Sequence, residues 1–183
     1  MTRFVVEEKT ILVPSEVQLE VDGRIVSVKG PKGELKKDFE RLPIHLDYKS
    51  TKEHVIVRTY FGRHFEKAIV GTVASHIQNM INGVTKGFEY KLKIVSSHFP
   101  MTVERSGNKI IVKNHYGERA PKYAEIVGTV QMKVVGDDVI LTGISKEDLG
   151  QTAANLQEIT RLRGKRRKDP TTFMDGIYTY EKN

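Results

Sequence analysis

The segment Val17-Gln-Leu-Glu-Val-Asp-Gly-Arg-Ile-Val-Ser-Val-Lys-Gly-Pro-Lys-Gly-Glu34 is matched without a gap, 84 residues later, by Met101-Thr-Val-Glu-Arg-Ser-Gly-Asn-Lys-Ile-Ile-Val-Lys-Asn-His-Tyr-Gly-Glu118. Six positions are identical, and two of these are glycine pairs. The same spacing carries Val55-Ile-Val57 onto Val139-Ile-Leu141. Constant spacing over this distance indicates that one structural unit has been duplicated.

Each copy begins with the pattern of a β-hairpin. Apolar residues alternate with polar residues from Val17 to Val21, and Asp22-Gly23 then predicts a tight turn, because both residues tolerate a positive φ. Ser106-Gly107 stands at the matching place in the second copy. Further strands are expected at residues 34–39, 44–48 and 54–60, and the first dozen residues are expected to add an edge strand or to wrap the first unit. Residues 30–33 lack the features of a nucleotide-binding loop and predict a turn between strands that places Lys29 and Lys32 near an anion.

A helix is expected to close each copy. In the first, apolar residues recur at spacings of three and four from Phe65 to Ile81, and Gly83 is expected to end the helix. In the second, Ser145 is expected to cap a helix that has its apolar face from Leu149 to Leu162 and ends at Gly164.

These patterns predict an α+β fold of two tandem homologous units, each with small antiparallel or mixed sheets packed against one main helix. We expect a first unit at residues 1–87, which includes an N-terminal strand, and a second at 88–163. Residues 164–183 are expected to form a basic and aromatic extension that docks on the second unit or on a binding partner.

Charge is concentrated in the basic run Arg161–Lys168, read as Arg-Leu-Arg-Gly-Lys-Arg-Arg-Lys. The chain has 30 Lys and Arg against 23 Asp and Glu, a net charge of +7, and six of these cations lie in the run. Four of the six are arginines, whose planar fork fits phosphate. The run therefore predicts binding to a polyanion through counterion release, with contacts from Arg161, Arg163, Lys165, Arg166, Arg167 and Lys168.

Other function classes have little support in the sequence. The absence of cysteine excludes disulfides and thiolate zinc sites, and it fits a cytoplasmic protein. No apolar stretch approaches the roughly 20 residues of a membrane span. The six histidines form no His-x-x-x-His pair, and no Gly-x-Ser-x-Gly or His-Glu-x-x-His motif occurs. We therefore expect no enzyme activity, no metal and no cofactor. His98 is expected in a loop, where it can touch a nucleic acid.

The repeat, together with two C-terminal segments, closely resembles the universal large-subunit ribosomal protein L-six family. The segments are Asp148-Leu-Gly-Gln-Thr-Ala-Ala-Asn-Leu-Gln-Glu-Ile-Thr-Arg-Leu-Arg-Gly-Lys-Arg-Arg-Lys-Asp169 and Phe173-Met-Asp-Gly-Ile-Tyr178. The resemblance covers essentially the whole chain, and the second segment matches the archaeal form (called L-nine in eukaryotes). Thr171-Thr172 departs from the further basic residues that many relatives carry.

The resemblance implies a structural constituent of the large ribosomal subunit in the cytoplasm. It implies binding to the large-subunit ribosomal RNA near the sarcin–ricin loop and the stalk base, with ribosomal proteins as neighbours and translation factors nearby. The basic run would make the main phosphate contacts. Secondary contacts would come from Lys146, Gln151, Lys113, Asn114, His115 and Tyr116.

Two alternatives remain open at this point. One is a free-standing RNA chaperone or translational regulator that uses the same basic run. The other is a small enzyme acting on nucleic acid, which would need a cluster of acids or histidines that the sequence does not reveal.

Overall fold

The computed structural model describes residues 5–49, 54–60, 62–162, 169 and 172–183, and the chain divides into two units at residues 1–87 and 88–183. The elements of the first unit are β1 (Val6–Leu12), β2 (Gln18–Asp22), β3 (Ile25–Gly30), β4 (Gly33–Asp38), β5 (His45–Lys49), β6 (His54–Tyr60) and α1 (His64–Thr85). They form two three-stranded antiparallel sheets, in the orders β1-β6-β5 and β2-β3-β4. The strands expected between residues 34 and 60 are thus present, and the N-terminal segment forms an edge strand.

The second unit repeats this plan with one addition. Its elements are β7 (Phe88–Val95), β8 (Thr102–Ser106), β9 (Lys109–Lys113), a 3₁₀ turn (His115–Gly117), β10 (Lys122–Glu125), β11 (Gln131–Val135), β12 (Asp138–Gly143), α2 (Lys146–Thr160) and β13 (Gly176–Lys182). The sheets have the orders β10-β9-β8 and β11-β12-β7-β13. The order β7-β12-β11 corresponds to β1-β6-β5 of the first unit, and β13 extends this sheet beyond β7. The predicted α+β class is confirmed, and every strand pair among the described residues is antiparallel.

The two units bury side chains at corresponding strand positions, as expected for a duplication. Val26, Val28, Val55 and Val57 have no exposed surface in the first unit, and neither do the residues 84 positions later, Ile110, Val112, Val139 and Leu141. In both units alternate strand residues point into the core beneath the helix, as the period of two in a β-strand requires. Each unit has its own apolar core.

The hairpin turns lie one residue later than the sequence suggests. Asp22 pairs with Ile25, so the two loop residues are Gly23 and Arg24. Gly23 has a φ of +63°, and Gly107 at the matching position has a φ of +60°. A glycine with positive φ at the first loop position is the arrangement of a type II′ turn, whose twist matches that of the strands.

Helix α1 differs from its prediction at both ends. Phe65 is 70% exposed, because the buried stripe begins only at Val70 and runs to Val84. Gly83 lies buried inside the helix rather than ending it. The helix ends two residues later at Thr85, where Gly87 adopts a φ of +75° and its N–H donates to the carbonyl of Asn82 (3.2 Å). Glycine at this position relieves the strain of a left-handed residue.

The loop at residues 30–33 packs against this helix end. A Cβ on Gly30 would lie 2.7 Å from Cγ2 of Val84, so only glycine fits there without a shift. The N–H of Lys32 donates to the carbonyl of Val84 (3.0 Å), and its ammonium group donates to the carbonyl of Lys86. A cation at the negative end of a helix is favourable. Lys32 therefore caps α1, and an anion near Lys29 and Lys32 stays a prediction.

Helix α2 starts as predicted and stops early. The hydroxyl of Ser145 accepts the N–H of Asp148 (3.3 Å), which confirms the N-cap. The buried positions of α1 recur in α2 at an offset of 79 residues, and Ile81 corresponds to Thr160. Helix α2 ends at Thr160, four residues before the position that corresponds to the end of α1, and Arg161 has an extended backbone (φ −79°, ψ 125°). Leu162 is consequently outside the helix, and Gly164 lies outside the described residues.

Candidate nucleic-acid interface

The basic run begins directly after α2 rather than on its last turn. Arg161 is the C-cap residue, its side chain is exposed, and its N–H donates to the carbonyl of Glu158 (3.2 Å). The early end has a physical reason, because the hydroxyl of Thr160 is engaged on both sides. It donates to the carbonyl of Gln157 (2.9 Å) and accepts the N–H of Ile177 (3.2 Å). The last helical turn is thereby joined to the first residues of β13.

The remaining cations of the run lie outside the described residues, so the structure does not test their predicted contacts. They are Arg163, Lys165, Arg166, Arg167 and Lys168. The residues that flank them are described, namely Arg161 and Leu162 upstream and Asp169 downstream.

The chain downstream of the run is held by a turn and by a buried acid. The carbonyl of Asp169 accepts the N–H groups of Thr172 (3.0 Å) and Phe173 (2.8 Å). Asp175, only 5% exposed, accepts the N–H of Ser97 (2.6 Å) and that of His98 (3.3 Å). It also lies 3.2 Å from Nδ1 of His98. A buried carboxylate with three donors ties the C-terminal segment to the loop after β7.

His98, expected in a loop, is found there next to an aromatic ring. Its imidazole stacks on Phe173 with ring centroids 5.4 Å apart and planes 29° apart. The side chain remains 44% exposed although its Nδ1 lies against buried Asp175. The structure therefore places His98 at the surface beside the downstream flank of the run.

The predicted contact loop at residues 113–116 approaches the same C-terminal segment. Asn114 (φ +59°) and Tyr116 (φ +55°) are both left-handed, a conformation that costs about 1 kcal/mol or more for a residue other than glycine. Asn114 Nδ2 donates to the carbonyl of Pro100 (2.9 Å), and the hydroxyl of Tyr116 donates to the carbonyl of Phe173 (3.4 Å). Burial, followed by nearby Asp175, raises the pKa of Tyr116. Such strain persists where surrounding contacts hold it, and it concentrates at binding sites.

Two members of this loop have partners of their own. Lys113 forms an ion pair with Glu104 (2.7 Å), although its side chain stays half exposed. His115 is expected at the RNA surface, but its ring is only 2% exposed, because it lies beneath the loop with Lys122 Nζ 2.7 Å from its Nδ1. Burial and, after it, the Lys122 charge lower the pKa of His115. In this fold His115 supports the loop from below.

Lys146 and Gln151 lie elsewhere on α2. The ammonium group of Lys146 sits over the ring of Phe88, 5.6 Å from its centroid. Lys146 begins the helix and Thr160 ends it, which separates them by about 21 Å at 1.5 Å per residue. Gln151 is exposed, and its Nε2 donates to Oδ1 of Asn155 (2.8 Å). The structure thus does not bring Lys146 to the end of the helix where the run begins.

The residues that organise the site were not predicted to do so. Asp175 and Thr160 touch elements 77 and 17 residues away in the sequence, and no local pattern announces either contact. The sequence offers one signal, which is that Asp175 lies within the apolar and aromatic segment Phe173-Met-Asp-Gly-Ile-Tyr178. A carboxylate that is buried with such residues needs hydrogen-bond donors around it.

The structure also bears on metal binding and on membrane insertion. Across the part of the chain that the structure describes, no three His, Asp or Glu side chains are grouped so that they can hold a metal ion. Within those same residues, neither helix is long and apolar enough to cross a membrane.

Comparison with known proteins gives consistent matches. The sequence model of the family described as ribosomal protein L6 matches residues 13–87. A relative from Ignicoccus hospitalis is 46% identical over 171 residues, covering 92% of this chain and 90% of the relative. One from Methanobrevibacter smithii is 44% identical over 172 residues, covering 94% of each chain. One from Desulfurococcus amylolyticus is 45% identical over 184 residues, covering 98% of this chain and 96% of the relative. All three carry the name large ribosomal subunit protein uL6.

Proposed function

We propose that this chain, which belongs to the ribosomal protein L6 family, binds the RNA of the large ribosomal subunit through the basic run. Members of the family are structural proteins of that subunit rather than enzymes. The RNA site proposed is the region of the sarcin–ricin loop and the base of the stalk. Ribosomal proteins would be its neighbours there, and translation factors would dock nearby without direct contact.

The observation that carries this proposal is the placement of the basic run between two anchored flanks. Upstream, Thr160 joins the end of α2 to β13, and downstream Asp169 and Asp175 hold the chain that follows. Six cations in eight residues supply counterion release on binding to phosphates. Anchored flanks leave the flanking residues less conformational entropy to lose on binding, which favours affinity.

The surface around the flanks fits a second set of contacts. His98, Asn114 and Tyr116 lie in loops or turns that contact Pro100, Phe173 or Asp175. Lys113 precedes Asn114 at the end of β9. These side chains are positioned to contact nucleotides next to those bound by the run. Lys146 and Gln151 belong, in this proposal, to a separate contact nearer the start of α2.

Sedimentation distinguishes this function from a free-standing RNA chaperone or regulator. Cell lysate is layered on a high-salt sucrose cushion, and the pelleted large subunits are assayed for this protein. Stoichiometric recovery with the subunits is expected. Recovery mainly in the unpelleted fraction would contradict the proposal and favour the free-standing alternative. Crosslinking in the pelleted subunits, followed by mapping of the linked nucleotides, tests the proposed RNA region.

A further inference from the structure

The ring pair His98 and Phe173 combines exposure with a held geometry. Phe173 covers one face of the imidazole at a centroid distance of 5.4 Å, and 44% of the His98 side chain is nonetheless open to solvent. Buried Asp175 receives both the backbone N–H of His98 and a ring contact at Nδ1. An exposed ring that is oriented by a buried group needs little reordering when it binds a ligand.

The surroundings of the ring pair are also shaped for a surface contact. Phe99 follows His98 and is 44% exposed, and its ring packs so closely on Gly117 that a Cβ there would lie 3.2 Å from it. The neighbouring left-handed residues Asn114 and Tyr116 store backbone strain in the same region. Flat exposed rings next to a strained loop are typical of a site that meets another molecule rather than of a packed interior.

Phe173 lies five residues after Lys168, the last cation of the run. A backbone turn from Asp169 to Phe173 (2.8 Å) shortens the distance further. The ring pair therefore lies on the described downstream flank of the run, close in the chain to the cations that are proposed to bind RNA.

We propose that the ring pair His98 and Phe173 is a stacking site for an unpaired nucleobase of the RNA that the basic run binds. This proposal rests on the proposed function, and it adds base stacking at the ring pair to the phosphate binding by the run. A nucleobase fits better than a phosphate because Asp175 occupies Nδ1 of His98 and places a carboxylate beside it. An unpaired base fits better than a duplex, whose bases are stacked on one another and whose phosphates are the part that reaches the protein.

The test compares two RNA probes that carry the same number of phosphates, a hairpin with an unpaired loop and a blunt duplex. The full chain is titrated with each at several salt concentrations. Stacking of one base contributes about 1–3 kcal/mol, so the hairpin is expected to bind about five- to 150-fold more tightly. His98→Ala should remove this preference and leave the salt dependence of binding unchanged, since the phosphate contacts remain. His98→Phe keeps a flat ring and should retain the preference.

His64→Ala, which removes an exposed histidine from the first unit, is the matched control and should retain the preference. The proposal is overturned if the wild-type chain binds both probes equally, if His98→Ala keeps the preference, or if His98→Phe loses it while folded by circular dichroism. Failure of the proposed function looks different, because then neither probe binds with a salt-dependent affinity.

Discussion

Replacing Asp175 by alanine removes the group that joins the C-terminal segment to the loop after β7. The carboxylate accepts a short bond from the N–H of Ser97 (2.6 Å) and longer ones from the N–H (3.3 Å) and ring Nδ1 (3.2 Å) of His98. A hydrogen bond to a charged group contributes about 1.5–3 kcal/mol and a weaker one about 0.5–1.5 kcal/mol. Because the released donors can turn to water in part, we expect a loss of about 2–4 kcal/mol in the free energy of unfolding of the second unit.

Urea denaturation followed by tyrosine fluorescence measures this loss. Five of the seven tyrosines lie in residues 88–183, so the signal reports mainly on the second unit. With a slope of about 2 kcal/mol per molar urea, the midpoint should fall by about 1–2 M. Asp175→Asn keeps one oxygen for Ser97 and should lose about half as much.

Glu104→Ala is the control within the same unit, since Glu104 is 49% exposed in its ion pair with Lys113 (2.7 Å). An exposed pair of this kind contributes at most about 1 kcal/mol. If Asp175→Ala shifted the midpoint no more than Glu104→Ala does, the Asp175 carboxylate would not hold the C-terminal segment.

Two further predictions concern one closely packed position in each unit. Gly30→Ala should lower the free energy of unfolding of the first unit by about 1–3 kcal/mol, because its Cβ would overlap Val84; thermal unfolding showing no change would contradict the close packing. The pKa of His115 is lowered from 6.5 by burial and by Lys122, so the unfolded chain binds the extra proton first as pH falls below 6.5. The second unit should therefore lose stability as the pH falls from 6.5 through the lowered pKa, and His115→Gln should flatten that loss in urea titrations at a series of pH values. An identical pH dependence in both proteins would show that the histidine is not held neutral.

The strands and the duplication were predictable because they follow from local alternation. Val26 and Ile110, 84 residues apart, are both fully buried, as a shared period of two requires. The helix ends were not predictable in the same way. Thr160 ends α2 because its hydroxyl joins Ile177, and Gly83 remains helical because α1 packs against the loop of Gly30. Both outcomes depend on contacts between residues distant in the sequence.

The candidate site shows the same division. The charge of the basic run is readable from composition, since six cations in eight residues stand apart from a nearly neutral remainder. The burial of His115 beside Lys122 could not be predicted from the sequence, because the pairing of β9 and β10 is what brings these two residues together. Nor could the role of Asp175, which depends on the fold bringing residues 97 and 98 to the start of β13.

The salt dependence of RNA binding tests the central claim, that the basic run is the phosphate-binding element, most directly. The affinity for a large-subunit RNA is measured against salt concentration for the wild-type chain and for the variant with Arg161, Arg163, Arg166 and Arg167 changed to Ala. The variant's slope should flatten by up to about 0.7 log units per lost phosphate contact. A charge-matched control that changes four exposed cations of the first unit should keep the wild-type slope. The cations changed to Ala are Lys9, Lys36, Arg41 and Lys86. An unchanged slope in the run variant, or equal flattening in both, would contradict the account.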